Sequence, residues 1–207
     1  MFKKSYVFIF IVICLFLVGA CGIWLTKDQI IRLTIDNIEL LNEAVVEIYN
    51  LDESVRFIAN TRFRQPNPNA EIDFEGIYTS GSVDGELVVK PLDSPVFYEL
   101  LRDGRIRSIS IIRIDGEISR IVFYTRSRGV RYLYEGFYFS SNNKPQHVFG
   151  RADYIWENPI PYNDGWFRLG EISYYYTERI VENWFYFEMV YHMGSSSNRV
   201  PEDLPLE

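Results

Sequence analysis

The side chains best suited to chemistry are few and poorly assembled along this chain. There are two histidines, His147 and His192, and neither takes part in a metal-ligand spacing such as HExxH. No GxSxG, Walker or GxGxxG segment occurs. The polar run GSSSN near the C-terminus has no strand-turn-helix context and is not a nucleophile elbow. Carboxylates are plentiful. Asp153, Glu157, Asp164 and Glu171 sit among aromatic residues, and a pair at the right separation could cleave a glycosidic bond. Distance along the sequence does not set that separation, so no catalytic residue, metal ligand or cofactor is assigned. The two cysteines, Cys14 and Cys21, both fall in an apolar N-terminal run. The rest of the chain therefore has no thiol nucleophile, disulfide or zinc thiolate.

Two concentrations of residues stand out instead. Residues 102–131 hold eight arginines against three acids, in a chain whose net charge is -7. The overall acidity argues against a general nucleic-acid binder, but a local basic surface can meet anionic headgroups, wall phosphates or an acidic partner. A two-residue turn at Asp115-Gly116 puts Arg107, Arg113 and Arg120 on one face with Ile109, Ile111, Ile118 and Val122. That face is mixed, and arginine stems covering apolar surface account for it more simply. The second concentration is aromatic. In YYYTERIVENWFYFEMVY, strand alternation places Tyr174 and Tyr176 on one face and Tyr175 on the other, and sets Trp184 and Tyr186 opposite Phe185 and Phe187. Both faces carry rings, and a simple two-layer domain has one core face. Tyr174, Tyr176, Trp184 and Tyr186 are therefore the candidate binding surface for a ligand or partner. Cross-strand ring pairing, or cover by a helix or loop, is the competing explanation.

The elements that must position these residues read as α+β. Residues 27–50 repeat apolar side chains at helical spacing, with Ile31, Ile35, Ile38, Leu41, Val45 and Ile48 on one stripe and Thr26 or Asp28 as cap. The stretch TRFRQPNPNAE breaks that pattern and marks the passage from helix to sheet. From Ile72 on, short alternating segments separated by turn residues predict an antiparallel, meander-like sheet of about six to eight strands. Its strongest hairpin signal is Asp115-Gly116. SPVFYELLRDG predicts a short helix, with a serine cap and Pro95 in its first turn. The N-terminal helix is expected to lie on the sheet through Ile31, Ile38, Leu41 and Val45. The organisation follows: 1–25 a signal peptide or membrane anchor, 26–194 a single domain, 195–207 a disordered polar tail.

The N-terminus bears on location. Lys3 and Lys4 precede an apolar run from Tyr6 to Leu17, and Val18-Gly19-Ala20-Cys21 follows. This resembles a bacterial lipoprotein signal peptide, with Val18 three positions before the cysteine and Ala20 directly before it. Cys14 follows Ile13 and does not compete. The resemblance implies cleavage before Cys21 and lipidation of that residue. It covers the leader alone. An uncleaved span from Ser5 to Leu25 remains open, because the run is uncharged and long enough to cross a ~30 Å hydrocarbon core, with the lysines kept inside. Either way the domain lies on the extracytoplasmic side of the cell membrane, held through its N-terminus. The expected function is a membrane-anchored binding or interaction module, its partner a protein or glycan of the envelope and not nucleic acid. A pilin-like structural role and a hydrolase of envelope polymers are the alternatives.

Overall fold

The computed structural model describes residues 25–64, 73–125, 133–145, 165–168 and 173–191, with backbone alone for 133, 165–168, 173, 174, 190 and 191. Cys21, both histidines, the carboxylates Asp153, Glu157, Asp164 and Glu171, and the expected tail lie outside the described residues.

The N-terminal amphipathic segment forms two helices, α1 (Lys27–Asp36) and α2 (Ile38–Tyr49). Thr26 opens α1 with a capping box. Its hydroxyl accepts from the Gln29 N–H at 3.4 Å, and Gln29 Oε1 accepts from the Thr26 N–H at 2.8 Å. One continuous helix was expected over this stretch, but the break falls at Asn37, whose Nδ2 donates to the Leu33 carbonyl at 2.8 Å. Asparagine competes with the helix for backbone partners in this way. The break resets the helical phase. Accordingly α1 buries Ile30, Leu33 and Thr34 and leaves Ile35 47% exposed, while α2 buries Leu41, Ala44, Val45 and Ile48. Leu41 and Val45 pack as expected, Ile31 and Ile38 only at the margin of the core, and Ile35 departs from the stripe.

Nine described strands form one sheet: β1 (Val55–Asn60), β2 (Ile77–Val83), β3 (Glu86–Pro91), β4 (Ile106–Ile114), β5 (Glu117–Thr125), β6 (Leu133–Ser140), β7 (Gly165–Arg168), β8 (Ser173–Val181) and β9 (Trp184–Tyr191). Their order is β3-β2-β1-β4-β5-β6-β9-β8-β7, and every pairing is antiparallel. Two departures raise the number above the expected six to eight. β1 lies between the expected helix and the TRFRQPNPNAE break, where no strand was expected, and the segment read as one strand from Gly165 onward is divided into β7 and β8. The turns at Asp84-Gly85 and Asp115-Gly116 both take positive φ at both positions, the geometry whose twist matches a tight hairpin. Between β3 and β4 runs α3 (Pro95–Leu101), where the Ser94 hydroxyl accepts from the Phe97 N–H at 3.2 Å and donates to Glu47 of α2 at 3.0 Å.

The three helices share one side of the sheet. Ile30, Leu41, Ile48, Phe97 and Leu101 form a single buried cluster there with Ile58, Ile109, Ile121, Phe137 and Trp184. The opposite side carries its own buried cluster, in which Tyr138, Tyr175, Phe185 and Phe187 surround Val122 and Met189. No described helix packs on it. Register decides which residue joins which side. Shifts at Ile106/Ser108 and Ile112/Arg113 each add a residue to one strand of the β4–β5 pair, and an added residue inverts the alternation beyond it. The expectation that Arg107, Arg113 and Arg120 share a face is overturned for that reason. Arg113 pairs opposite Ile118 on the helix side, whereas Arg120 pairs opposite Ile112 and joins Val122 on the helix-free side.

Candidate functional site

The aromatic hairpin β8–β9 is where a binding surface was expected, and its rings are core. Trp184 is 1% exposed and Tyr186 fully buried, both on the helix side. Trp184 Nε1 donates to Asn42 Oδ1 of α2 at 3.2 Å, and its ring lies 5.5 Å from Phe123 and 5.9 Å from Phe137. The Tyr186 hydroxyl donates to Glu188 at 3.2 Å. Burial, then the charges of Glu188 and Glu135, push its pKa far above the tyrosine range. Tyr176 is half-buried beneath α1. Lys27 Nζ donates to its hydroxyl at 3.0 Å, sits 4.7 Å from its ring centre, and pairs with Glu178, to which the Tyr176 hydroxyl also donates. The Tyr174 side chain lies outside the described ones. On the other side of the hairpin, Phe185 and Phe187 are buried as well. The expected platform at Trp184 and Tyr186 is therefore absent. The helices cover one set of rings, and the other set interlocks across β6, β9 and β8.

That second layer is aromatic and polar together. Tyr138 stacks on Phe185 with centroids 5.2 Å apart, and Phe187 meets Tyr124 edge-on at 5.9 Å. The Thr177 hydroxyl donates to the Tyr186 carbonyl at 3.0 Å and so accepts from the Tyr138 hydroxyl at 2.9 Å. Tyr175 shares hydrogen bonds with both, and burial drives its pKa well above the usual tyrosine range. Arg120 is only 7% exposed beside these rings. Burial lowers its guanidinium pKa, while Tyr175, Tyr138 and Tyr124 act in the opposite direction.

Beside this layer, on the helix-free side, a cleft of about 540 Å³ opens between β1, β4, β5 and the start of β6. That volume lies within the range of small-molecule sites. Phe57, Tyr124 and Tyr134 supply rings to its wall, and Arg64 and Arg107 supply guanidiniums. Strand alternation puts Phe57 opposite Ser110, and Ser108 opposite Tyr124, all on this side. Tyr134 meets Tyr124 edge-on at 6.4 Å and is 42% exposed. Arg64 is held from three directions. Its guanidinium lies 4.5 Å from the Phe57 ring centre, Nη1 donates to Ser108 Oγ at 3.3 Å, and its carbonyl accepts from the buried Tyr78 hydroxyl at 3.0 Å. It remains exposed, and among the described residues no carboxylate lies within ion-pair distance of it. A second concavity, about 750 Å³, lies at the end of β1 between Arg62, Glu75, Tyr98 and Arg102. Its walls come largely from turns and one face of α3.

Arg64, Phe57, Tyr124 and Tyr134 were not singled out from the sequence. The available signal was RFR (62–64) beside an alternating VRFIAN, which could have marked a strand ending at a cationic rim. Among the described residues no group of three or more His, Cys, Asp or Glu side chains could hold a metal ion. Compared with protein-family models, with curated proteins and with solved structures, the chain gives no match in any of the three.

Proposed function

We propose that this chain is a membrane-anchored extracytoplasmic binding module, held by a lipidated Cys21 and taking its ligand in the cleft on the helix-free side of the sheet. The observation that carries this reading is the cleft: rings and Arg107 on the strands of the sheet, with Arg64 reaching in from the turn after β1, bonded to Ser108 and still exposed to solvent. Sites built on strands hold their geometry better than sites on loops. The described fold supports an anchor close to the bilayer. Leu25 is already buried in the core, so the four residues after Cys21 reach at most about 14 Å when extended. No described helix is long and apolar enough to cross a membrane, and the anchor reading rests on the leader.

Two acyl chains on one cysteine hold stably, at ~0.8 kcal/mol per buried CH₂, where a single chain holds marginally. Cys21→Ser, followed by cell fractionation, is the test. Release of the domain or accumulation of a larger precursor is expected. A membrane-bound product of unchanged size would replace the lipid anchor with an uncleaved span. Recovery of the wild-type chain inside the cytoplasm would overturn the extracytoplasmic reading altogether.

A further inference from the structure

We infer that the ligand of the helix-free cleft is an anion carried on a ring, of the class of sugar acids and sugar phosphates. This deepens the binding-module reading and rests on it. Glu135 also borders the cleft, its side chain turned by strand alternation to the helix side with Phe137, and the remaining chemistry of the wall divides into two parts. One is cationic. The Arg64 guanidinium donates through Nη1 to Ser108 at 3.3 Å and lies 4.5 Å from the Phe57 ring centre, two contacts that restrain it. A planar guanidinium restrained in this way offers paired donors to a carboxylate or phosphate, and does so better than a mobile ammonium. Arg107 adds a second positive charge to the same wall. The other part is aromatic. Tyr134 and Tyr124 stand edge to face, with Tyr134 open to solvent, and ring faces of this kind receive the C–H face of a pyranose or a second planar ring. A cleft of about 540 Å³ accommodates one or two such rings and is too small for a folded partner.

Carboxylate-bearing and phosphate-bearing sugars share this chemistry, and binding measurements separate them. The full chain in a non-ionic detergent is titrated with glucuronic acid, glucose 1-phosphate, glucose and acetate, with binding followed by calorimetry. At least one of the two anionic sugars should bind at least tenfold more tightly than glucose and than acetate, and the tighter of the two identifies the natural source. Arg64→Ala should reduce that affinity at least tenfold while the chain stays folded, its thermal midpoint lowered only slightly, since Arg64 is exposed and gives up only its contacts to Ser108 and Phe57. Arg64→Lys should recover only part of the loss, because charge is kept without the planar fork. Tyr134→Ala should weaken the anionic sugar and leave acetate unchanged. Equal binding of glucose and the anionic sugars overturns the cationic half of the inference. Equal binding of acetate and glucuronate overturns the ring half, and absence of binding by both anionic sugars overturns the whole. These outcomes do not depend on the anchor. Loss of membrane attachment with sugar binding intact would sink the lipid anchor alone, and the converse would sink the ligand class alone.

Discussion

The two sides of the sheet solve burial in different ways. The helix side is mostly aliphatic: Ile30, Leu41, Ile48, Ile58, Ile109 and Ile121 close on Trp184 and Phe137. Aliphatic burial is non-directional, and a helix that slides slightly keeps most of it. The helix-free side buries tyrosines, whose hydroxyls require partners, and it finds them within the sheet itself through Tyr138, Thr177 and Tyr175. Such a layer is directional, because every hydroxyl that loses its partner costs about 1–3 kcal/mol. The same side holds Arg120 and the cleft with Arg64. The contrast teaches that, among the described residues, the aromatic hairpin is not a surplus of exposed surface. It builds a second packed layer, and the cleft opens at the end of that layer where Tyr134 and Arg64 reach solvent.

The largest test compares one ring from each side at adjacent positions. Trp184→Ala should destabilise the fold by about 3–5 kcal/mol, the usual cost of removing a large buried ring, and it also strips Asn42 of its indole donor. Phe185→Ala should cost about as much, at the low end of that range, since Phe185 is equally buried against Tyr138. Urea unfolding of both variants is the measurement. A cost below about 1 kcal/mol for Phe185→Ala would mean that the helix-free layer is not packed as a core, and the comparison would fail.

A smaller effect is expected at Gly136, which sits in β6 on the helix-free side. An added Cβ would lie 2.1 Å from the Phe123 carbonyl oxygen of β5 and 3.1 Å from the Phe187 ring. The first contact is with backbone and cannot be relieved by a rotamer. Glycine here lets β5 approach β6 and lets the Phe187 ring settle over the strand. Gly136→Ala should therefore cost about 1–3 kcal/mol, as overpacking does, against the small gain that alanine normally brings by restricting the unfolded chain. A neutral or stabilised variant in thermal melts would show that the aromatic layer has room to shift.

Much of the architecture was legible because its signals are local. Asp-Gly turns, the Ser94-Pro95 start of α3, the Thr26 cap and the alternation that sets Trp184 and Tyr186 against Phe185 and Phe187 each depend on residues close in sequence. What escaped depends on distant partners. β1 was missed because VRFIAN is six residues long and gains its strand character by lying between β2 and β4. The arginine faces were misplaced because register shifts in the β4–β5 pair carry no sequence mark. The site followed from both errors: Phe57 belongs to the missed strand, and Arg64 follows it at the turn. The reading of Trp184 and Tyr186 as a surface failed for a related reason. Alternation tells which rings share a side, but not how much cover the rest of the chain lays over that side.

The smallest effect expected lies where α1 meets β8, and it ties the helix side to the N-terminal end of the described chain. Lys27 pairs with Glu178, and the Tyr176 hydroxyl bonds to both. For Glu178, burial favours the neutral acid, but the hydrogen bonds from Lys27 and Tyr176 outweigh it and hold the carboxyl below its usual value of 4.5. For Lys27, burial opposes the charge, and the bonds to Glu178 and Tyr176 outweigh it, so the amine is raised above 10.5. The acid-side stability is therefore present above the unfolded carboxyl pKa and disappears as pH falls through the lowered folded value. The base-side stability is present below the unfolded amine pKa and disappears as pH rises through the raised folded value. Between them the pair contributes a plateau. The Lys27 side chain is 40% exposed and Glu178 28%, so solvent screening limits the plateau to about 0.5 kcal/mol. Comparing wild type with Glu178→Gln by urea unfolding from pH 3 to pH 9 should show that small difference flat at neutral pH and shrinking as the pH falls below 4.5 through the lowered folded value. A difference that persists unchanged at pH 3 would mean that Glu178 acts through packing and not through its charge.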